Sequence, residues 1–536
     1  MPGGKNDTLK KILGGIPFTA ELYWLSHQNG APIQTRFRLK LLQETIGEMV
    51  QQATAVRKKA APGKKVFIFA SMHRWIEQTA VTALGLAAEG NDVTFGFYPY
   101  GDWFTDVPKF DLRRQNIYAL KVLEPAEALI HPTSFLTLRS PYVPLPKQLK
   151  DAVEEVSVFD TQYTLQIEDV DTNSPTYKFR YARNLEAAQS VYSYLRANKP
   201  DVVVVPNGTI LEFGIVYRVA RFLNIPTNTY EFSDQHDAFW LGQNTEIMRQ
   251  DTSAMWNEQK DTSFTETQRK RIHAMFETRQ KAKVTENFTR QWQNTPAQGS
   301  ESVRDQLKLD NRPIVLLPTN VLGDSLTLGR QVFSKTMAEW VSRTILYFIG
   351  RPDIQLVIRI HPGEILTREY SMLDVVRKTL PELPEYIHVI GPEEKINTYD
   401  LVDITDIGLV YTTTVGLEMA LKGIPVIVAG KTHYRGLGFT FDPNSWVDYF
   451  KMLGSLLENP TKHHLGKQEI ELGWKYAYHF FYTFPLPFPW HIKLVHDYEA
   501  HKLDQVFSAD GRKKYENSFK YLAGQPIDWG KLNHKG

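Results

Sequence analysis

Two short stretches of this chain hold side chains whose types and spacing could do chemistry: Arg359-Ile360-His361-Pro362, and Thr412-Thr413-Thr414 followed by Glu418. The apolar run Ile407 to Tyr411 leads into the threonines and has the length and bounding turns of a buried parallel strand. The spacing predicts a helix from Val415 to Lys422 capped by Thr414. Gly423 ends it, and Pro425 bars its continuation into the next apolar run, Pro425 to Ala429. A strand, a hydroxyl-rich turn and a helix amino terminus together supply unpaired N–H groups, hydroxyl donors and a positive dipole end, the outline of a phosphate site. The same threonines suit plain helix capping, and both readings stand. Glu418 lies one residue beyond the capping-box position, which Leu417 occupies. It can pair with Lys422 at i, i+4, or stand one turn below the cradle and accept hydrogen bonds from a ribose.

His361 falls where the strand Gln355 to Ile360 ends, and Pro362 imposes extended backbone on it. Neighbouring parallel strands present their carboxyl ends together, so His361 and the threonine turn are expected on one wall of a cleft. An imidazole N–H beside a phosphate stabilises charge developing on a leaving group. The elements that must position these residues alternate strand and helix. Ile314 to Leu317 opens a sheet, with the loop Pro318 to Ser325 (holding Asn320 and Asp324) at its end. A helix near Gln331 to Ile349, the strand Tyr386 to Ile390, the loop Gly391 to Lys395 and the helix Thr398 to Val402 follow.

The first half repeats the pattern. Val66 to Ala70, a helix from Trp75 to Glu89 and Val93 to Phe97 form a strand, helix, strand unit, and Val202 to Val205 is a buried β-branched run. His73 stands at the end of the first of these strands, either facing a cleft or structural. The short strand Thr227 to Tyr230 runs into Glu231-Phe232-Ser233-Asp234-Gln235-His236-Asp237. Asp234, His236 and Asp237 there could furnish a general base for a sugar hydroxyl, or the loop could simply be hydrated. Thr262 to Lys283 reads as a polar, solvent-facing helix, and the aromatic segment Tyr98 to Pro146 as an acceptor-binding wrap or a packed insertion.

The expected organisation is an extension over 1–63 with a helix from Thr35 to Lys59, and a Rossmann-like domain over 64–293. A linker over 294–312, a second Rossmann-like domain over 313–455 and closing helices over 456–536 that brace the first domain complete it. The aromatic run Trp474 to Trp490 suits such bracing; a membrane-surface role, with His479, His491 and Lys493 nearby, is the alternative.

Thr412 to Asp442, TTTVGLEMALKGIPVIVAGKTHYRGLGFTFD, resembles the signature of the capsule polysaccharide biosynthesis family. These are glycosyltransferases of the GT-B fold whose studied members use a CMP-activated sugar acid. The shared pattern is the hydroxyl cluster, Glu418-x-Ala420-Leu421, a Gly-x-Pro turn, Gly430, Tyr434, Gly436, Gly438 and Asp442. The His-Pro and hydroxyl pair is similar to that of bacterial transferases with CMP-linked donors. The resemblance implies an α/β fold of two Rossmann-like, doubly wound parallel-sheet domains facing a cleft, and a Kdo-transferase-like, metal-independent enzyme.

It implies, too, that His361 and Thr412 to Thr414 hold the donor phosphate, Glu418 the ribose, and Pro392 and Glu393 the base. Asn320 and Asp324 would face the same cleft. Lys431, His433, Tyr434 and Arg435 would meet a sugar carboxylate or a second phosphate. The partners implied are a nucleotide sugar as co-substrate, CMP-linked in preference, and a glycan acceptor, with no other cofactor. Threonines where the family often has serines leave the exact donor open. The rivals are a CDP-polyol phosphotransferase of teichoic-acid type, a nucleotide-sugar epimerase and a non-catalytic glycan-binding member.

Composition narrows the field. At 536 residues, 42% hydrophobic and 23% charged, the chain has the makeup of a globular protein of two domains. No cysteine is present, which removes disulfides, thiolate metal sites and a cysteine nucleophile. A net charge of +2 gives no case for nucleic acid. No apolar run reaches membrane-spanning length and no signal-peptide core stands out, so the expected place is the cytoplasm, with peripheral association at a membrane or assembly machinery left open.

Overall fold

The computed structural model describes the chain except residues 1–4, 28–36, 139–142, 284–294, 367–369, 493–497, 499–500 and 535–536. It divides into two compact units. The first comprises 1–160, 172–248 and 486–527; the second comprises 161–171, 249–485 and 528–536.

In the first unit β1 (Lys65–Ser71), β2 (Asp92–Tyr98), β3 (Thr133–Ser134), β4 (Val202–Pro206) and β5 (Thr227–Phe232) run parallel in the order β3-β2-β1-β4-β5. β6 (Ala238–Gln243) turns back antiparallel on β5. The Val202–Val205 run is wholly buried, as a strand covered on both faces must be.

The second unit repeats this plan with β7 (Ile314–Pro318), β8 (Gln355–Arg359), β9 (Ile387–Ile390), β10 (Ile407–Val410) and β11 (Val426–Val428). All are parallel, in the order β9-β8-β7-β10-β11. The register places Ile407, Val315, Leu356 and Ile387 in one row across the sheet, and all four enter a core with Trp340, Phe348 and Tyr449 from flanking helices. Burying each such side chain contributes about 1.5–3 kcal/mol. Both sheets are therefore Rossmann-like, each with its strand order reversing beside its first strand: at β1 and β4, and at β7 and β10. Such switch points are where open α/β sheets take ligands.

Four expectations need correction. Residues 249–283 pack with the second unit, not the first. The helix expected to face solvent, found at Glu266–Gln280, buries Ile272, Met275, Phe276 and Arg279 along one stripe; Thr265 and Gln268 form its capping box. The stretch 295–312 contains a helix, Ser300–Leu307, so it is not a plain linker; its expected start, Asn294, lies outside the described residues, as do Lys493 and the first residues of the Thr35 helix, found at Lys40–Arg57. The closing segment divides, with 456–485 packing in the second unit and 486–527 in the first.

The aromatic run is packed. Tyr476, Phe480, Phe481, Phe484, Phe488 and Trp490 are buried, and Trp474 and Tyr482 are half-buried. β12 (Leu486–Pro487) adds antiparallel to β6. Among the described residues, no helix is long and apolar enough to cross a membrane.

Candidate functional site

The ends of β7, β8 and β10 meet at the switch point of the second sheet. Three short bonds lock them together. The Thr319 hydroxyl after β7 accepts the His361 backbone N–H at 3.0 Å. Asn320 Oδ1 accepts the Thr412 N–H at 3.2 Å. The Gly430 N–H after β11 donates to the Tyr411 carbonyl at 3.1 Å. His361 and the threonine turn thus share one edge of one sheet, as the order of parallel strands requires.

His361 is exposed, and its Nδ1 accepts the Gly363 N–H at 3.0 Å. The neutral ring must then carry its proton on Nε2, the nitrogen able to donate to a ligand. Gly363 has to be glycine: a Cβ there would lie 2.9 Å from Nδ1. Arg359 has a separate task. Its buried guanidinium donates to the carbonyls of Gly391 (2.5 Å) and Glu394 (3.2 Å), tying the loop that carries Pro392 and Glu393 to the strand that carries His361. Burial lowers its pKa.

The threonine turn departs from simple capping. Thr414 has helical backbone and its side chain makes no cap bond. Thr413 Oγ1 is 3.4 Å from the Val415 N–H, a long contact. The Thr412 hydroxyl is buried with no hydrogen-bond partner among the described residues. Capping therefore does not account for the Thr412 and Thr414 hydroxyls. The helix that follows, Val415–Leu421, is seven residues long, so its dipole adds little and the hydroxyls and N–H groups must supply the polarity.

Tyr434 is fully buried, and its hydroxyl donates to the Thr413 carbonyl at 2.6 Å. A Cβ on Gly416 would sit 2.4 Å from that hydroxyl, which explains the glycine. Tyr434 therefore shapes the threonine turn from beneath, through the Thr413 carbonyl.

Its neighbours are similarly engaged. The neutral His433 ring stacks on Phe480 at 3.7 Å and donates from Nδ1 to Tyr476; burial, then the Arg330 charge, lower its pKa to about 3. It cannot meet a carboxylate as a cation. Arg435 donates to the carbonyls of Val428 and Pro443, while Asp442 accepts the Gly436 N–H and the Thr440 hydroxyl. Lys431 alone of this group is exposed. Asp324, also exposed, holds its own turn by accepting the Leu326 N–H at 2.8 Å.

Glu418 is 4% exposed and pairs with Arg279 at 2.8 Å, while Lys422 pairs instead with Asp403. Its second oxygen, Oε2, is buried with no hydrogen-bond partner among the described residues. Burial, then the Glu418 charge, push the Tyr399 hydroxyl pKa up. Arg279 was not among the sequence candidates. The stripe Ile272, Met275, Phe276, Arg279, at i, i+3, i+4 and i+7, was the signal that could have found it.

In the first unit the His73 Nδ1–H donates to the Gly101 carbonyl at 3.0 Å, leaving Nε2 as the basic nitrogen of the neutral ring. Asp237 is taken up by Lys514. His236 is exposed and Asp234 half-buried. At the end of β5, burial raises the pKa of Glu231 to about 7, and Asn207, just after β4, donates to it at 3.4 Å.

Residues 224–450 match the family model described as capsule polysaccharide biosynthesis protein. No curated protein matches the chain. Among solved structures, the KpsC beta Kdo 2,4 transferase of Thermosulfurimonas dismutans is 16% identical, with a TM-score of 0.34, over 51% of this chain and 78% of that one. The UDP-GlcNAc 2-epimerase of Neisseria meningitidis, bound to UDP-GlcNAc, is 13% identical with a TM-score of 0.25, covering 77% and 95%. The calicheamicin glycosyltransferase CalG4 is 12% identical with a TM-score of 0.27, covering 83% and 99%. These are likenesses of fold alone.

Proposed function

Over residues 224–450 the chain belongs to the capsule polysaccharide biosynthesis family, and on that premise we propose that it is a glycosyltransferase of GT-B type, moving a sugar from a nucleotide-activated donor, CMP-linked, to a growing surface or capsular polysaccharide. The observation that carries this reading is the switch point of the second sheet. There an exposed imidazole with its proton on Nε2 stands at the same sheet edge as the Thr412 and Thr414 hydroxyls, which helix capping does not occupy, and the Thr413 hydroxyl, held only by a long contact.

In this reading the donor phosphate lies against Thr412, Thr413 and Thr414, and the His361 Nε2–H donates to the oxygen that gains charge as the sugar leaves. Glu418 Oε2, already desolvated and oriented by Arg279, accepts from the ribose. The Pro392–Glu393 loop lines the base, and Asn320 holds the threonine turn through the Thr412 N–H. The charge of the leaving nucleotide is met by these groups without a metal. The acceptor belongs to the first unit, where Glu231, with His73 and Asp234 on the same sheet edge, removes the proton of the attacking hydroxyl.

The test is a thermal-shift series with CMP, CDP, UDP, GDP and ADP, followed by turnover assays. A ligand that binds only the folded state raises Tm by mass action. CMP should stabilise the wild type selectively and lose most of that effect in Glu418→Ala. His361→Ala should fold normally and lose about a hundredfold or more in turnover, the scale of removing one donor at a developing anion. A preference for UDP or GDP discards the CMP donor, and release of a polyol phosphate from a CDP donor moves the chemistry to phosphorus. Unchanged turnover with a large fall in Tm removes His361 from the chemistry.

A further inference from the structure

Two helices at the start of the first unit, Lys5–Gly15 and Thr19–Ser26, hold apolar side chains out to solvent. Leu9 (55% exposed) and Ile12 are exposed on the first, Leu22 and Leu25 on the second, and Ile16 and Phe18 (70% exposed) on the turn that joins them. Leu9 and Ile12, and Leu22 and Leu25, are each three residues apart and so share a side of their helix. Their inner side buries Ala20, sets Tyr23 against Phe110, and is tied by ion pairs to the helix Lys109–Leu123: Lys10 pairs with Asp111 at 2.8 Å, and Glu21 with Arg113. Arg113 also donates to the Ile16 carbonyl at 2.9 Å, and Arg114 sits 4.5 Å over the Tyr23 ring. Gly14 lets the first helix approach closely, since a Cβ there would lie 2.8 Å from the Phe110 nitrogen.

An isolated exposed leucine is ordinary, but six exposed apolar side chains on two short helices and the turn between them are not. We propose that this helix pair is a membrane-surface anchor, inserting its outer face shallowly into the headgroup region of an anionic lipid layer. Three features favour lipid over a second protein. The turn Ile16-Pro17-Phe18 is exposed throughout and forms an apolar tip that can enter an acyl boundary. The first helix spans about 16 Å and the second about 12 Å, too short to cross a hydrocarbon core of about 30 Å and suited to lying along its surface. The charges are complementary. Glu21 and Asp111 are neutralised by arginine and lysine, while Lys11 on the first helix and Lys109 beside it are exposed.

The experiment is flotation of the full chain with vesicles of phosphatidylglycerol and phosphatidylcholine, and with phosphatidylcholine alone. The wild type should float with the anionic vesicles, less so as salt rises. Phe18→Ser/Leu22→Ser, which removes two exposed side chains, should keep the wild-type Tm and lose at least about tenfold in vesicle affinity. Lys11→Glu should reduce the preference for anionic over neutral lipid. Flotation that is absent, or unchanged in the double variant, overturns the proposal. So does a concentration-dependent dimer of the wild type that the double variant abolishes without vesicle binding, since the face then belongs to a second copy. A double variant that unfolds would be replaced by Leu25→Ser, with the same criteria applied.

Discussion

Glu418 and Arg279 are each almost out of reach of water, at 4% and 2% exposure, so neither charge is tolerable there without the other. Breaking such a pair from one side leaves an uncompensated buried ion, which costs about 3–5 kcal/mol, whereas replacing both partners with apolar groups is often close to neutral. Arg279→Leu should therefore unfold at markedly lower denaturant than the wild type, and Arg279→Leu/Glu418→Leu should recover most of the loss. Nucleotide binding separates structure from function within the same set. If Glu418 accepts from the ribose, the double variant regains stability but not the CMP-induced rise in Tm. A double variant that recovers both would assign the pair to packing alone. Chemical denaturation and thermal shift on the wild type, Arg279→Leu, Glu418→Leu and the double variant settle the point.

The loop after β11 shows how a family signature can be scaffold rather than contact surface. Tyr434, Arg435, Gly436 and Asp442 bond to one another's surroundings, and His433 is held neutral against Phe480 and Tyr476. The pH dependence follows. His433, lowered to about 3, and His479, lowered to about 4 by burial and the Lys475 charge, bind protons more readily when unfolded. Their stabilising effect is present above pH 6.5 and is lost as pH falls toward those values, at no more than about 1.4 kcal/mol per pH unit for each. Glu77, Glu231 and Glu364, each raised to about 7 by burial, act oppositely, losing stability as pH rises from 4.5 through 7. Between pH 4.5 and 6.5 the two sets oppose each other, three carboxyls against two histidines; below 4.5 the carboxyl titration is complete and the histidines act alone. Unfolding free energy should fall below pH 4.5, and His433→Phe should show a shallower fall, measured by urea titration at each pH.

The sequence made the β-branched and apolar strands legible, and with them the shared edge of His361 and the threonines, because parallel order alone places those ends together. It did not reveal that Tyr434 is buried or that Arg279 meets Glu418. Those contacts join segments far apart along the chain, and no local period encodes a partner.

At the scale of the whole molecule, the chain leaves its first unit and returns to it, so that unit is not a contiguous stretch of sequence. The returning segment, 486–527, completes the sheet and covers it. β12 pairs with β6, Trp490 and Phe519 are each 1% exposed, and a Cβ on Gly85 would lie 2.7 Å from the Phe519 ring. Asn228, buried on β5, donates to the Tyr521 and Leu522 carbonyls at 3.0 and 2.8 Å, and Gln78 donates to the Trp490 carbonyl at 3.2 Å. Removing the segment would expose the apolar surface beneath two large aromatic side chains and leave the Asn228 and Gln78 amides without these acceptors in the interior. Each such aromatic truncation costs about 3–5 kcal/mol and each unsatisfied amide about 1–3, against a total domain stability of about 5–15. A chain ending at Pro485 should therefore be recovered insoluble or without cooperative unfolding of its first unit, even though every strand of the parallel core is present. Co-expression with a separate 486–536 fragment should restore soluble protein, because the contacts are noncovalent. A soluble truncated chain with a wild-type melting transition would show that the first unit stands without its returning segment.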